Sequence, residues 1–244
     1  MTFLKRRFSG FLWGFRLVSR DSMLVLIMAA PLLCGLVFRF GIPPLDRWIA
    51  AQWTGRPLLM PYASIFDLML LFLTPYLLCT VASMIMLEER DHQVGAYFRV
   101  TPMGLRGYLT ARLVIPAFGA VLISILLLML FRLTRLSLLA GFGLALLAAF
   151  SAIAAAMVVV AGANNKVEGM AVMKLTGISM VGLLVPWFIE SNAQYAFAIF
   201  PSYWMARAVL QTVGMTYAFF LLTGIACSLL WIVAFYRIFT RKIV

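Results

Sequence analysis

Residues 62–87 read YASIFDLMLLFLTPYLLCTVASMIML, a run whose only charged side chain is Asp67. A helix needs roughly 20 residues to cross a hydrocarbon core of about 30 Å, so this run is long and apolar enough to span a membrane. Five further stretches of the chain have the same character. The sequence therefore predicts six membrane-spanning helices, near residues 22–41, 62–87, 108–131, 136–163, 170–189 and 215–237.

The composition of the whole chain indicates the same class. Of its 244 residues, 64% are hydrophobic and 11% are charged, and the mean hydropathy is +1.03. Soluble domains carry about 25% charged residues, so we expect an all-α integral membrane protein with a single transmembrane domain over residues 1–244. The net charge of +12 lies mostly at the ends of the apolar runs, which favours membrane lipid over nucleic acid as a partner.

The distribution of basic residues predicts the orientation. Six spans place both termini on one side, and 14 of the 20 Lys and Arg residues fall on that side. Because cytoplasmic loops carry an excess of Lys and Arg, we expect both termini in the cytoplasm. Residues 1–21 place Leu4, Phe8, Phe11 and Phe15 at helical spacing, which is typical of an amphipathic helix lying in the inner lipid interface. The alternative is an ordinary basic flank.

Two segments on the opposite side are predicted to lie outside the spans. Segment 42–61 contains Trp48 and Trp53 and is expected to be a short loop anchored at the interface by aromatic side chains. Segment 190–214 begins with a polar break followed by an apolar run that is too short to cross a membrane. A re-entrant or interfacial half-helix is expected there.

Signatures of catalytic and metal-binding sites are absent from the sequence. It contains no phosphate-binding loop of the form G-x-x-x-x-G-K-[ST], no H-E-x-x-H and no G-x-S-x-G. The single histidine, His92, leaves almost nothing from which to build a histidine metal cluster or a histidine-dependent triad. We therefore expect no catalytic residue, no metal site and no cofactor in this chain.

The stretch between the second and third predicted spans, residues 88–107, carries the most specific signal. Three acids in the last turn of a helix would oppose its dipole, so they are expected to begin a new short helix over residues 88–98. Tyr97 and Phe98 would then lie on its apolar face. Such a helix, held below the membrane between two spans, is able to transmit a push from a soluble partner. The alternative is an ordinary charged loop.

Two runs of sequence resemble a known family. Residues 88–102 follow the pattern E-E-R-D-x-x-x-x-x-Y-x-x-V-T-P, which resembles the loop after the second span in ABC-2 type transporter permeases. Residues 164–174, NNKVEGMAVMK, are similar to the inner loop of small bacterial members that export drugs or antimicrobial peptides. The six spans, the amphipathic N-terminal helix and the short outer helices also look like that fold. The resemblance covers nearly the whole chain.

The resemblance implies an ATPase on a separate polypeptide, because this sequence contains no ATPase motif. The partner would be present in two copies, would bind ATP and Mg, and would dock on a coupling helix within residues 88–107. Two contact groups are carried over by position: Glu88, Glu89 and Arg90, supported by Tyr97 and Phe98, and then Asn165, Lys166 and Glu168. For the second group, helix capping by Asn164 is the alternative reading.

Polar residues within the second span are candidates for a substrate pathway. They are Asp67, Thr74, Tyr76 and Thr80. Charge inside a membrane is costly and therefore informative, but Asp67 lies early enough in the span to be an interfacial residue instead. Plain helix packing is the alternative for the others. The spacing of Ala148, Ala152 and Ala156 predicts close helix contact.

These observations predict the permease subunit of an ATP-driven exporter in a bacterial cell membrane. A second permease, identical or related, would complete the pathway, and the cargo would be amphipathic or hydrophobic: a drug, an antimicrobial peptide or a lipid-like molecule. The export direction comes from the resemblance. The main alternative is an ion-coupled secondary transporter or a channel. An importer subunit and a membrane-embedded enzyme are further alternatives.

Overall fold

The computed structural model describes residues 22–92, 104–211 and 214–243. Within these ranges the chain is helical, and no β-strand occurs. Six helices are long and apolar enough to cross a membrane. The prediction of an all-α membrane protein with six spans is therefore confirmed. The amphipathic helix expected over residues 1–21 lies outside the described residues, as do Tyr97 and Phe98.

The helices are numbered in chain order. Helix α1 joins four consecutive segments, Ser22–Leu36, Val37–Gly41, Ile42–Ile49 and Ala50–Thr54. A short 3₁₀ turn, Met60–Tyr62, leads into α2, Ala63–Asp91. Helix α3 joins Gly104–Leu109, Thr110–Val114 and Ile115–Phe131, and α4 is Leu138–Gly162. Helix α5 joins Lys166–Thr176, Gly177–Met180 and Val181–Phe188. After a 3₁₀ helix, Asn192–Ile199, come α6, Pro201–Gln211, and α7, Met215–Ile243.

Helices α2 and α4 form the centre of the bundle. Helix α4 packs against α2, α3 and α7, whereas α1 lies at the periphery beside α2 and α3. The alanines predicted to allow close contact, Ala148, Ala152 and Ala156, are at most 1% exposed. That prediction is confirmed, and its cause is steric, because a methyl side chain lets two helix backbones approach closely.

The prediction of a loop over residues 42–61 is wrong for most of that segment. Helix α1 continues through two π-helical turns to Thr54 and ends at Gly55, whose φ of 65° is the left-handed conformation that glycine adopts readily. Pro43 is the second residue of the segment Ile42–Ile49 and follows the π-helical turn Val37–Gly41 directly. Asp46 is 2% exposed and accepts hydrogen bonds from the backbone N–H groups of Leu58 and Leu59. This carboxylate holds the chain that follows against the end of α1.

Segment 190–214 contains two short helices joined at Phe200. The 3₁₀ helix Asn192–Ile199 precedes α6, and α6 packs on α5 and α7. The close crossing of α5 and α6 depends on Gly182, because a Cβ atom there would lie 2.4 Å from the Ser202 hydroxyl and 3.1 Å from the Tyr203 backbone nitrogen. The two helices therefore fit together only where α5 has no side chain.

Candidate functional site

The two ends of the bundle differ in their chemistry. At one end of the bundle, α2 and α4 end and α3 and α5 begin. Four consecutive charged residues form the last turn of α2 there. We call Glu88, Glu89, Arg90 and Asp91, together with their partners Tyr108, Arg112 and Lys166, the hub. The end that contains it is the hub end, and the opposite end is the far end.

The expected new helix over residues 88–98 is corrected by the structure at its beginning. Helix α2 continues without a break to Asp91, so Glu88 and Glu89 belong to its last turn. Acids at that position oppose the helix dipole, but here cationic side chains from neighbouring helices compensate. The sequence of α2 alone does not contain those partners, which is why local reasoning misplaced the helix boundary.

Glu89 joins the end of α2 to the beginning of α3. One of its carboxylate oxygens accepts a hydrogen bond of 2.7 Å from the Tyr108 hydroxyl, and the other forms an ion pair with Arg112. The side chains of Glu89 and Arg112 are 13% and 14% exposed. Because both stems of the connecting segment 93–103 are held by this contact, any force on that segment acts on α2 and α3 together.

Arg90 joins α2 to the end of α4 and to α7. Its guanidinium donates hydrogen bonds of 2.8 Å to the carbonyl of Ala163 and 3.1 Å to that of Val160. These carbonyls belong to the last turn of α4, where no intrahelical partner remains and a positive charge is favourable. The same guanidinium lies 5.4 Å from the centre of the Phe239 ring of α7.

Lys166 joins the end of α2 to the beginning of α5. Its ammonium donates to Glu88 at 3.0 Å, and its backbone N–H donates to the Asp91 carboxylate at 3.0 Å. Close packing accompanies these bonds, since a Cβ atom at Gly169 would lie 2.2 Å from the Leu87 side chain. Together the four consecutive residues 88–91 connect α2 to α3, α4, α5 and α7.

The second predicted contact group lies at the N-terminus of α5. Asn165 caps this helix by accepting from the backbone N–H of Glu168 at 2.8 Å, and the Glu168 carboxylate accepts from the backbone N–H of Asn164. This arrangement resembles a capping box, with the backbone N–H of the residue before the N-cap in place of that of the N-cap itself. The cap of α4 is Ala163, so the reading of Asn164 as the C-cap is wrong. Val167, in the first turn, is 72% exposed.

The four residues predicted for the substrate pathway occupy different environments. Asp67 is 3% exposed at the far end and accepts from the backbone N–H groups of Leu133 and Thr134, which fixes the turn between α3 and α4. The hydroxyl groups of Thr74 and Thr80 donate to carbonyls of α2 itself. These bonds favour a structural role for the three residues.

Tyr76 is the residue of this set that reaches another helix. Its hydroxyl lies 2.9 Å from the Thr176 hydroxyl of α5. Thr176 lines a cavity of about 170 Å³ whose walls come from α2, α4, α5, α6 and α7. The sequence does not indicate this cavity, because its walls come from five helices that are separated along the chain and carry no shared motif.

At the far end, α6 places aromatic and cationic groups together. The Arg207 guanidinium lies 5.5 Å from the centre of the Phe220 ring. Burial raises the pKa of the Tyr203 hydroxyl, and the positive charge of Arg207 acts against that rise. Tyr203 is therefore a neutral phenol, and its hydroxyl lies 3.4 Å from the side-chain oxygen of Gln194. These contacts tie the 3₁₀ helix, α6 and α7 to one another.

The fold defines a multi-pass helical membrane protein. The chain belongs to the family described as "Fluoroquinolones export permease protein Rv2686c-like", which matches residues 14–236. Two relatives, the fluoroquinolones export permease proteins Rv2686c (strain ATCC 25618 / H37Rv) and MT2760 (strain CDC 1551 / Oshkosh) of Mycobacterium tuberculosis, are each 30% identical to it over 196 residues. These residues are 78% of this chain and 75% of each relative. No solved structure matches the chain. The prediction of an export-permease family is confirmed.

Proposed function

We propose that this chain is the membrane-spanning subunit of an ATP-binding cassette exporter whose ATPase is a separate polypeptide. The observation that carries the proposal is the hub. Segment 93–103 follows α2 and precedes α3, whose ends Glu89 joins, and residues 88–91 connect this point to three further helices, α4, α5 and α7. A soluble partner that moves this segment would therefore move most of the bundle.

The hub end would face the cytoplasm, where ATP is available. The excess of Lys and Arg on the predicted inner side supports this orientation. Two ATPase subunits, which bind ATP and Mg, would act on two permeases, either two copies of this chain or this chain and a related one. Closure of the ATPases would then shift the pair from an inward-open to an outward-open arrangement.

The proposed cargo is a fluoroquinolone or a drug of similar character. The names of the relatives support this class of cargo. The apolar and aromatic walls of the cavity also suit an amphipathic aromatic molecule rather than a hydrophilic one. The export direction follows the same relatives.

An ion-coupled transporter receives less support from the geometry. Such a mechanism needs buried carboxylates that are available to a proton or an ion. The buried acids Asp46 and Asp67 both accept hydrogen bonds from backbone N–H groups at the far end. Their negative charges are already used to hold two turns.

Val167 offers the sharpest test of the ATPase contact. It is an apolar side chain, 72% exposed, at the second position of α5 on the hub end. An acid at this position is favourable for the helix, so Val167→Asp should leave the fold intact while placing a charge on the docking surface. We expect at least about tenfold less of the partner ABC ATPase to co-purify with the variant than with the wild type, as for an interface anchor residue.

Leu139→Asp is the matched control. Leu139 is also the second residue of its helix, α4, and is 83% exposed, but it lies at the far end. The Leu139→Asp variant should co-purify with the ATPase as the wild type does. The wild-type permease should also stimulate ATP hydrolysis by the ATPase and support drug efflux. If no ATPase binds the wild-type chain in nanodiscs, the proposed function is wrong. If both variants bind normally, Val167 is not part of the contact.

A further inference from the structure

The cavity lies at mid-depth in the bundle. Its wall on α4 is a single stripe formed by Ser151, Ala154, Ala155 and Val158, at helical spacing. Ser151 comes 13 residues after the start of α4 and 11 before its end. At 1.5 Å per residue, this places Ser151 roughly 17–20 Å from either end of the helix, and the stripe extends from there to Val158, about 6 Å from the end of α4. A molecule in it would be surrounded by the apolar middle of the membrane.

The lining offers aromatic surface and very little polarity. Phe72 of α2 lies at the inner wall, and Trp231 of α7 lies at the opposite edge. The indole N–H of Trp231 donates a hydrogen bond of 3.0 Å to the carbonyl of Ile199. Among the described residues, no charged side chain contributes to the walls. An anion in the cavity would therefore lack a counter-charge at a depth where unpaired charge is costly.

The hydroxyl groups in the lining determine which polar group a ligand can have. Ser151, Thr176 and Ser202 each donate to a backbone carbonyl, of Leu147, Met173 and Ser179 respectively. The hydroxyl of Ser179 itself has no hydrogen-bond partner among the described residues and lines the cavity. Ser179 is therefore available to donate a hydrogen bond to a neutral polar group on the ligand.

The cavity is small and reaches the surface of the bundle. A dry protein cavity of about 150 Å³ is sufficient to bind benzene, so 170 Å³ suits one or two fused rings rather than a whole drug molecule. Helices α5 and α7 are not a packed pair among the described residues. Leu175 of α5, which is 64% exposed, and Trp231 of α7, which is partly exposed, both line the cavity and reach the surface of the bundle. The cavity therefore reaches the surface of the bundle beside these two residues.

We propose that this cavity binds the neutral aromatic ring system of a cargo molecule that enters from the membrane between α5 and α7. The ring lies against Phe72 and Trp231, one neutral polar group bonds to Ser179, and any carboxylate of the cargo stays outside. As a transport site the cavity rests on the proposed export function, whereas its ability to bind a ring does not.

The experiment uses the full chain in lipid nanodiscs with 1-azidonaphthalene as the photolabel. After irradiation, mass spectrometry locates the label on peptides that contain Trp231 or Ser151. Excess 2-naphthol, which is neutral and carries one hydroxyl, should suppress this labelling, and 2-naphthoate, its anionic counterpart, should not. Ser179→Ala should weaken competition by 2-naphthol about two- to tenfold and leave competition by naphthalene unchanged, because one neutral hydrogen bond is lost.

Ala155→Phe tests the site by filling it. Ala155 is partly exposed in the cavity wall, so a phenyl ring there has space to enter the cavity. Labelling should fall about tenfold, since burial of a ring worth about 1.5 kcal/mol or more is lost. Ala218→Phe, an equal change at an exposed position of α7 away from the cavity, should label as the wild type does.

Three results would overturn the inference. The first is labelling that Ala155→Phe leaves unchanged, and the second is equal competition by 2-naphthol and 2-naphthoate. The third is labelling that neither competitor reduces, which would identify a lipid acyl chain as the occupant. Fluoroquinolone efflux with the partner ATPase separates the two proposals. Lower efflux by Ala155→Phe with normal ATPase co-purification supports both. If the wild type labels as expected but binds no ATPase, the proposed function fails and the ring site stands.

Discussion

At the scale of single residues, Glu88 and Glu89 are neighbours in the sequence with different environments. Successive side chains of a helix point about 100° apart, so Glu88 faces α5 while Glu89 faces α3. Glu88 is 31% exposed and bonds to one flexible lysine, whereas Glu89 is 13% exposed and has two partners. The same substitution at the two positions should therefore have unequal effects.

Glu89→Gln should destabilise the protein by about 1–3 kcal/mol, because the charged partner of Arg112 in a largely buried ion pair is replaced by a neutral amide. Glu88→Gln should cost less than about 1 kcal/mol, as for a partly exposed ion pair. Denaturant unfolding in a mild detergent, followed by circular dichroism, measures both. Equal losses for the two variants would contradict the buried role of Glu89.

The sequence was sufficient to select the charged residues of the hub, but it did not indicate which side chains they contact. The charged run 88–91 stands out in an apolar chain, and local reasoning selected it. Its partners Tyr108, Arg112 and Lys166 lie 19, 23 and 78 positions away from the residues they contact. Such contacts follow from tertiary packing, which residue spacing within one helix does not contain.

At the scale of helices, apolar length and small-residue spacing were sufficient for the core. The six spans and the alanine stripe of α4 follow directly from the sequence, because membrane crossing and close helix contact each depend on one local property. The helical continuation of α1 to Thr54 was missed because Pro43 and Pro44 usually indicate a break. Two π-helical turns and the Asp46 carboxylate allow the helix to continue.

The crossing of α5 and α6 gives a prediction at the same scale. Gly182→Ala should separate the two helices, because the new methyl group would meet the Tyr203 backbone at 3.1 Å and backbone is unable to rotate away. We expect a loss of about 1–3 kcal/mol from overpacking. Gly119→Ala in α3 is the control, since nothing lies within 4 Å of its added Cβ, and it should be neutral or stabilising. Thermal unfolding of the two variants in the same detergent measures the difference. Similar melting behaviour would contradict the close crossing.

At the scale of the whole molecule, the charge distribution and the packing together predict which side of the membrane the hub faces. The sequence predicts the cytoplasm from the excess of Lys and Arg. The packing places His92 at the hub end and Arg135 at the far end, and both are exposed. The three native cysteines, Cys34, Cys79 and Cys227, all lie within the spans, so we expect them to give little background labelling with a water-soluble thiol reagent.

A charged, membrane-impermeant maleimide should therefore label His92→Cys in inside-out vesicles and Arg135→Cys in intact cells, and neither from the other side. This outcome follows because α3 crosses the membrane between the two positions and the basic end stays inside. The wild type gives the background, and permeabilised cells show that both cysteines react. The opposite pattern would place the hub away from ATP, and coupling to a cytoplasmic ATPase would then be impossible whatever the hub connects. Labelling of both positions from one side would instead remove the crossing by α3, on which the six-span topology depends.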